Sequence, residues 1–170
     1  MILPPGGRSA RARLALALLS GLLLAGACRP EVRPDAGRSA SVTIRGTRVA
    51  VEIARTPEQQ QLGLGRRDRL DWDTGMLFLY DEPGFYAFWM KGMRFDIDIV
   101  WIRGERIIGV SHRVPHPGAD APGGNGPTLR PPELVDRVLE VPAGYAEAHR
   151  WGRGDRVLVA GVEAADASGS

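Results

Sequence analysis

The sequence is poor in the residues that most often bind metals or act as nucleophiles. It has one cysteine, Cys28, and three histidines, His112, His116 and His149, among 170 residues. One cysteine cannot form a disulfide within the chain. A zinc site needs three or four converging ligands, and Pro115 prevents His112 and His116 from sharing a helix face. We therefore predict no metal, no cofactor and no disulfide.

Lysine is also scarce, and the chain has no excess of basic charge once its first residues are set aside. Lys91 is the only lysine among 22 basic residues, and 20 residues are acidic. Residues 1–27 contain three arginines and no acid, which leaves 19 basic and 20 acidic residues and a net charge of −1. A nucleic-acid-binding surface needs clustered basic residues. The sequence has no such patch interleaved with aromatic residues, and nucleic acid is not expected as a partner.

Residues 1–27 have the pattern of a lipoprotein signal peptide. Three arginines precede an apolar run, residues 14–24, that is too short to span a membrane as a stable helix. The sequence Leu24-Ala25-Gly26-Ala27-Cys28 then resembles a bacterial lipobox. We predict that Cys28 is lipidated and becomes the N-terminus of the mature chain. The alternative is an ordinary signal peptide, cleaved near Ala27, that leaves a free thiol.

The residues after this signal predict a single domain on a tether. Residues 28–40 are polar, contain two prolines, and are interpreted as a tether between the membrane and the domain. Residues 41–162 suit one domain, and residues 163–170 are predicted to be a disordered tail. The predicted location is the cell envelope. In a cell with two membranes, the lipid anchor is expected in the outer membrane, on its periplasmic side.

Apolar runs bounded by turn residues predict a domain built mainly of strands. The central stretch, residues 75–102, contains three such runs, and the pattern is typical of strands buried on both faces. These runs are residues 76–80, 85–90 and 97–102, of which 85–90 is expected to be an inner strand. Apolar residues that alternate with polar ones predict further strands. These lie at 42–44, 49–53, 106–114, 134–141 and 156–162.

Two short helices complete the predicted domain. Thr56 suits the N-cap of the first helix, Pro57 its first turn, and Gln59 completes a capping box. The second helix is predicted within residues 142–150. Residues 115–133 are rich in proline and glycine, which predicts a surface loop. The expected fold is mainly β, a β-rich α+β domain formed by a compact sandwich or a barrel-like sheet with two short helices.

The central stretch, GMLFLYDEPGFYAFWMKGMRFDIDIVWI, resembles the signature of the bacterial and archaeal family called domain of unknown function 192. Three further segments resemble elements of that family and occur in the same order: residues 62–67, 138–144 and 154–157. The resemblance covers about residues 42–162. It implies a compact, β-rich, sandwich-like domain to which no activity is firmly attached. It also places the family's Arg, Lys and Asp at Arg67, Lys91 and Asp98.

Polar residues between the second and third runs predict a candidate site. If the two strands form a hairpin, Lys91 lies near Asp96 or Asp98, and the resemblance adds Arg67. The cluster of Arg67, Lys91 and Asp98 is interpreted as a structural or ligand-binding site, or alternatively as a solvated pair worth about 0–1 kcal/mol. Four residues are predicted to line a groove beside it: Trp89, Met90, Trp101 and His112.

Two functions from different classes remain open. The first is a monomeric envelope lipoprotein, without catalytic residues, whose domain binds a small molecule, a glycan or a protein. The second is a hydrolase that acts on an envelope polymer through Asp96, Asp98 or His112. We favour the first, because the domain offers no activated nucleophile. It contains no cysteine, and its one core serine, Ser111, is next to His112 on a strand, so the two side chains point to opposite faces.

Overall fold

The structure is a computed structural model that describes residues 40–118 and 126–162. These residues form nine strands and two short helices. The strands are β1 (Ser41–Ile44), β2 (Thr47–Ala54), β3 (Thr74–Gly84), β4 (Phe88–Trp89), β5 (Ile97–Arg103), β6 (Arg106–Val114), β7 (Thr128–Leu129), β8 (Val135–Pro142) and β9 (Val157–Ala160). The helices are α1 (Pro57–Leu62) and α2 (Tyr145–Ala148). The prediction of a mainly β domain with two short helices is confirmed.

Three of the predicted segments are not among these residues. The signal peptide and the tether up to residue 39 lie outside the described residues, and so does the tail from residue 163. The lipidation predicted at Cys28 therefore also falls outside them. Within the two described ranges, no helix is long and apolar enough to cross a membrane.

Seven strands form one sheet in the order β6-β5-β8-β3-β2-β1-β9, and β4 pairs with β7 in a separate two-stranded sheet. All pairs are antiparallel except β2 and β3, which are parallel and are connected through α1. The sheet curls until its two edge strands meet: Arg106 bridges to Arg156, and the Gly154 N–H donates to the Ile107 carbonyl at 2.8 Å. The sheet is therefore a half-closed barrel, and the contact protects part of each edge.

The central strands β3, β5 and β8 are buried on both faces. The inner core, inside the barrel, includes Leu77, Val100 and Leu139. The outer core, on the opposite face of the same strands, includes Phe78, Trp101 and Val138. Neighbouring residues in each strand point to opposite faces, so the continuous apolar runs supply both cores. The predicted strands at 76–80 and 97–102 are confirmed.

Local signals in the first third of the domain also form the predicted elements. β1 and β2 make a hairpin whose turn places Arg45 at φ 50° and Gly46 at φ 82°, as a two-residue type I′ turn requires. The Thr56 hydroxyl accepts from the Gln59 N–H, and the Gln59 side chain accepts from the Thr56 N–H. This reciprocal capping box starts α1, which ends before Gly63.

The run 85–90 is not an inner strand, and that prediction is wrong. Only Phe88 and Trp89 have strand geometry, and they pair with β7 outside the main sheet. Phe88 and Met90 are buried, but Phe85 and Trp89 are 58% and 49% exposed. The place beside β5 and β3 is taken by β8. Residues 85–93, which we call the cover segment, instead lie over the outer core with one face in contact with it.

The end of the predicted surface loop packs in the same layer. Leu129 of β7 is opposite Phe88 and packs against the outer core. Pro132 lies so close to Gly109 that a Cβ on that glycine would be 3.0 Å from the proline Cγ. Residues 126–132 are thus a second part of the outer layer, a contribution that their proline and glycine content did not predict.

This layered arrangement predicts opposite results for two tryptophans. Trp101 is 1% exposed and donates its indole N–H to the Ser111 hydroxyl at 3.0 Å. We expect Trp101→Ala to lower the free energy of unfolding by about 3–5 kcal/mol, because it leaves a cavity in the outer core. Trp89→Ala should change it by about 1 kcal/mol or less. Urea unfolding followed by circular dichroism measures both, and equal losses would contradict the assignment of Trp89 to the surface.

Candidate functional site

A cleft lies between α1, with the residues that follow it, and the cover segment. It contains two neighbouring cavities of about 750 Å³ and 390 Å³, which we call the outer and the inner cavity. Both are lined by Gln61 and Leu62 on one side and by Trp89 and Lys91 on the other. Ligand pockets in proteins are usually between 300 and 1,000 Å³, so each cavity is large enough for a small molecule.

The outer cavity is polar, and a backbone hydrogen bond connects its two walls. Glu58, Arg66, Lys91 and Thr128 contribute to its lining. The Arg66 N–H donates to the Gly92 carbonyl at 3.0 Å. Arg66 has φ 68°, a left-handed conformation that costs a residue with a side chain about 1–2 kcal/mol. The two walls are therefore held together at one end by a residue in a strained conformation.

The inner cavity has an aromatic wall, formed by five of its fifteen lining residues. It is lined by Phe78, Tyr80, Tyr86, Phe88 and Trp89. The rings of Tyr80 and Tyr86 are stacked with centroids 3.5 Å apart, and those of Phe78 and Phe88 are edge to face at 4.9 Å. Burial raises the pKa of Tyr80 far above its ordinary value, so its hydroxyl is neutral at every physiological pH. These rings form a rigid apolar wall.

One carboxyl group, that of Glu140, lies within this apolar wall. Glu140 is in the middle of β8, opposite Met76 of β3 and Ile99 of β5, and it lines the inner cavity. Its side chain is on the outer face of the sheet, and the residue is 6% exposed. Within the described ranges, Glu140 Oε2 has no hydrogen-bond partner. Burial raises the pKa of Glu140 from 4.5 to about 8. The carboxyl is therefore mostly protonated at neutral pH.

Glu140 was not among the site residues predicted from the sequence, although a signal was present. It is the one acid within an otherwise apolar run, Val138-Leu139-Glu140-Val141. An acid at an outward-facing position of such a strand is ordinarily solvent-exposed. Only the cover segment, whose position the sequence did not predict, makes this face of β8 an interior one.

The predicted cluster of Arg67, Lys91 and Asp98 is not formed by the described residues. Asp98 is fully buried and accepts backbone N–H groups from Arg113 at 2.7 Å, Gly144 at 3.0 Å and Ala146 at 2.9 Å. It thereby joins β5 to β6 and to the start of α2. The carboxylate does have the donors that its burial requires, but they come from the backbone.

The other two members of that cluster lie elsewhere. Arg67 makes a two-pronged ion pair with Glu52 of β2, and this hydrogen bonding lowers the pKa of Glu52. Lys91 is exposed at the cleft. The prediction of contact between Lys91 and Asp98 is wrong because the cover segment does not form a hairpin with β5. Lys91 remains a site residue through the cleft alone.

The predicted groove is divided between the core and the surface. Met90 and Trp101 are buried in the outer core, and they cannot line an open groove. Trp89 lines both cavities. His112 is an exposed residue of β6 and lines neither cavity of the cleft. Trp89 is thus the one member of the predicted groove that contributes to the cleft.

The residues proposed for hydrolysis do not share a cavity in the cleft either. His116 Nδ1 lies 2.6 Å from Asp96 Oδ1, and the His116 N–H donates to the same oxygen at 2.9 Å. These hydrogen bonds lower the pKa of Asp96. Both oxygens of Asp98 accept backbone hydrogen bonds. In the described part of the chain, no group of three or more His, Cys, Asp or Glu residues is arranged to hold a metal ion.

Comparisons with known proteins agree with the fold and do not supply an activity. The model of the family DUF192, described as "Uncharacterized ACR", matches residues 40–159. No curated protein matches the chain. A solved protein of Sinorhizobium meliloti 1021, described as a candidate transcription regulator, is 28% identical, with a TM-score of 0.62 over 73% of this chain and 94% of its own. A solved protein of unknown function from Novosphingobium aromaticivorans DSM 12444 is 28% identical, with a TM-score of 0.60 over 69% of this chain and 83% of its own.

The buried carboxyl of Glu140 predicts that stability falls as the pH rises. Between pH 4.5 and 8, unfolding exposes Glu140 and releases its proton. The contribution of this group to the free energy of unfolding is therefore complete below pH 4.5. It is lost as the pH rises to about 8, by up to about 1.4 kcal/mol per pH unit. Glu140→Gln should remove this slope, as measured by urea unfolding at pH 5, 6.5 and 8.

The exposed Glu105, which pairs with Arg156, offers a matched control. Glu105→Gln should retain the pH slope of the wild-type protein. If the wild type and Glu140→Gln lose stability in parallel as the pH rises, the carboxyl of Glu140 is not buried in the way described.

Proposed function

We propose that this chain, which belongs to the family of domain of unknown function 192, is a lipid-anchored protein of the cell envelope that binds a small ligand in the cleft between α1 and the cover segment. One observation carries the proposal. The inner cavity contains a buried carboxyl group with an oxygen that has no hydrogen-bond partner in the described residues. A buried polar group of this kind costs free energy in the unliganded protein, and a ligand that pairs with it recovers that cost.

The composition of the cleft supports a binding role. An apolar aromatic wall with a few convergent polar groups is the usual composition of a ligand pocket. Trp89 is half-exposed and lines both cavities, where it can contact a bound molecule. Asp96, Asp98 and His112, which the hydrolase hypothesis requires, contribute to neither cavity. We therefore favour binding over hydrolysis.

A nucleic-acid-binding role, which the description of one solved neighbour suggests, is not part of this proposal. Several arginines on the described surface pair with acids, as in Arg45 with Asp155, Arg113 with Glu147, and Arg156 with Glu105. Such pairs reduce the positive field that attracts a phosphate backbone.

The cleft is tested by two tryptophans of equal exposure. Trp89 and Trp72 are each 49% exposed, but Trp72 packs on Tyr145 and lines neither cavity. We expect a panel of small fragments, screened by ligand-observed NMR against the full chain in a nonionic detergent, to include binders of the wild type. Trp89→Ala should weaken these binders about tenfold or more, and Trp72→Ala should not. Failure to find a binder, or equal loss in both variants, contradicts the proposal.

The anchor is tested separately, by metabolic labelling with a fatty acid that carries an alkyne. The wild-type protein should incorporate the label, and Cys28→Ser should not, because the thiol is the predicted acyl acceptor. A second variant that combines Cys28→Ser with Ser39→Cys keeps one cysteine but moves it away from the lipobox-like sequence. Label on either variant would contradict lipidation directed to Cys28.

A further inference from the structure

We propose that the inner cavity binds an organic ammonium group, with Glu140 as its carboxylate counter-ion and the aromatic side chains as its walls. This inference rests on the proposed function and specifies the chemical class of the ligand. It follows from the charges and the surfaces that the cavity presents.

Among the described residues, Glu140 lacks the partners that a buried acid ordinarily has. A buried acid is ordinarily paired with a cation or held by several donors, and Asp98 of this same domain has three backbone donors. Glu140 is also buried, yet its Oε2 has no partner among the described residues. Burial alone accounts for its raised pKa, with no contribution from a nearby cation. No cation of the described residues is therefore paired with Glu140, which lines the inner cavity.

The aromatic wall of the inner cavity is chemically suited to an organic cation. The faces of aromatic rings carry partial negative charge and attract ammonium groups, which is the basis of aromatic binding sites for alkylated amines. The inner cavity combines such rings, including the stacked pair Tyr80 and Tyr86, with the single acid of its described lining. An anionic ligand would oppose ionisation of this carboxyl, and a purely apolar one would leave it unpaired. An organic cation satisfies both the rings and the acid.

Other charged and titratable groups near Glu140 are few. β3 contributes Tyr80, which burial keeps neutral, and the cover segment contributes Tyr86 and Lys91. β5 presents Ile99, and α1 presents the uncharged Gln60 and Gln61. Lys91 is the one cation of the described lining, and it is exposed at the boundary with the outer cavity.

Binding of an ammonium ion should displace the proton of Glu140, and this release can be measured. The protonated carboxyl and the free ammonium ion form a carboxylate–ammonium pair and release one proton to water. With a pKa of about 8 for Glu140, binding at pH 6.5 should release close to one proton per ligand. Affinity should then rise up to about tenfold per pH unit between pH 6 and pH 8. An ammonium ion with a pKa near that of lysine, about 10.4, keeps its own charge throughout this range.

The experiment uses n-butylammonium as the probe and n-butanol as its neutral counterpart. Ligand-observed NMR on the full chain in nonionic detergent gives the affinities. A pH-stat gives the number of protons that the wild-type protein releases when the ligand binds. We expect n-butylammonium to bind at least tenfold more tightly than n-butanol at pH 8. Glu140→Gln should abolish this preference, and the same change at the exposed Glu105, which lines neither cavity of the cleft, should retain it.

Each result decides the inference. Binding without proton release, equal affinity for the amine and the alcohol, or unchanged amine binding by Glu140→Gln would each overturn it. So would loss of amine binding in Glu105→Gln, or no binding of n-butylammonium at all. The proton count needs only the wild-type protein, so it remains decisive if a variant does not fold. If n-butanol binds and Trp89→Ala weakens it, the cleft is a binding site as proposed, and only the ammonium assignment fails.

Discussion

The structure depends on the burial of three central strands on both of their faces. β3, β5 and β8 are apolar on each side, and each side must be removed from water, a gain of about 25 cal/mol per Å² of apolar surface. The curl of the sheet buries the inner face within the half-barrel. The outer face is buried by three separate pieces of chain: the residues after α1, the cover segment and residues 126–132. The cleft lies where two of these pieces meet.

The origin of the cleft explains its form. Pieces of irregular chain, laid over a curved sheet, do not close as completely as paired strands. Here a single backbone bond, from the Arg66 N–H to the Gly92 carbonyl, connects the two walls at one end. The aromatic residues below belong to the outer core and also line the inner cavity, as Phe78 and Phe88 illustrate. The same side chains therefore support the sheet and form the binding surface.

Two buried acids in this domain show the difference between a structural group and a candidate functional one. Asp98 accepts three backbone N–H groups and positions α2 at the barrel. Glu140 is held by strands of the same sheet, but its Oε2 lacks a partner in the described ranges. Exceptions to the rule that buried polar groups are satisfied are concentrated at functional sites. That contrast is the physical basis for locating the site around Glu140.

Much of the fold could be predicted from the sequence because its signals are local. The capping box at Thr56 and Gln59 involves residues three apart, and the I′ turn at Arg45 and Gly46 involves neighbours. The strands predicted at 97–102 and 106–114 from local pattern are β5 and β6 of the structure. The targeting segment and its cysteine are likewise a matter of local pattern, and they remain predictions.

The order of the strands, and with it the site, was decided by the tertiary structure. The sequence by itself determined that the domain is β-rich and which runs are apolar on both faces. It could not determine that β8, from the far end of the chain, would take the place beside β5 that was predicted for residues 85–90. Apolar strands have similar patterns whichever neighbour they pair with, so pairing depends on how the whole set packs. That pairing displaced residues 85–93 onto the outer face, separated Lys91 from Asp98, and buried Glu140 beneath the cover segment.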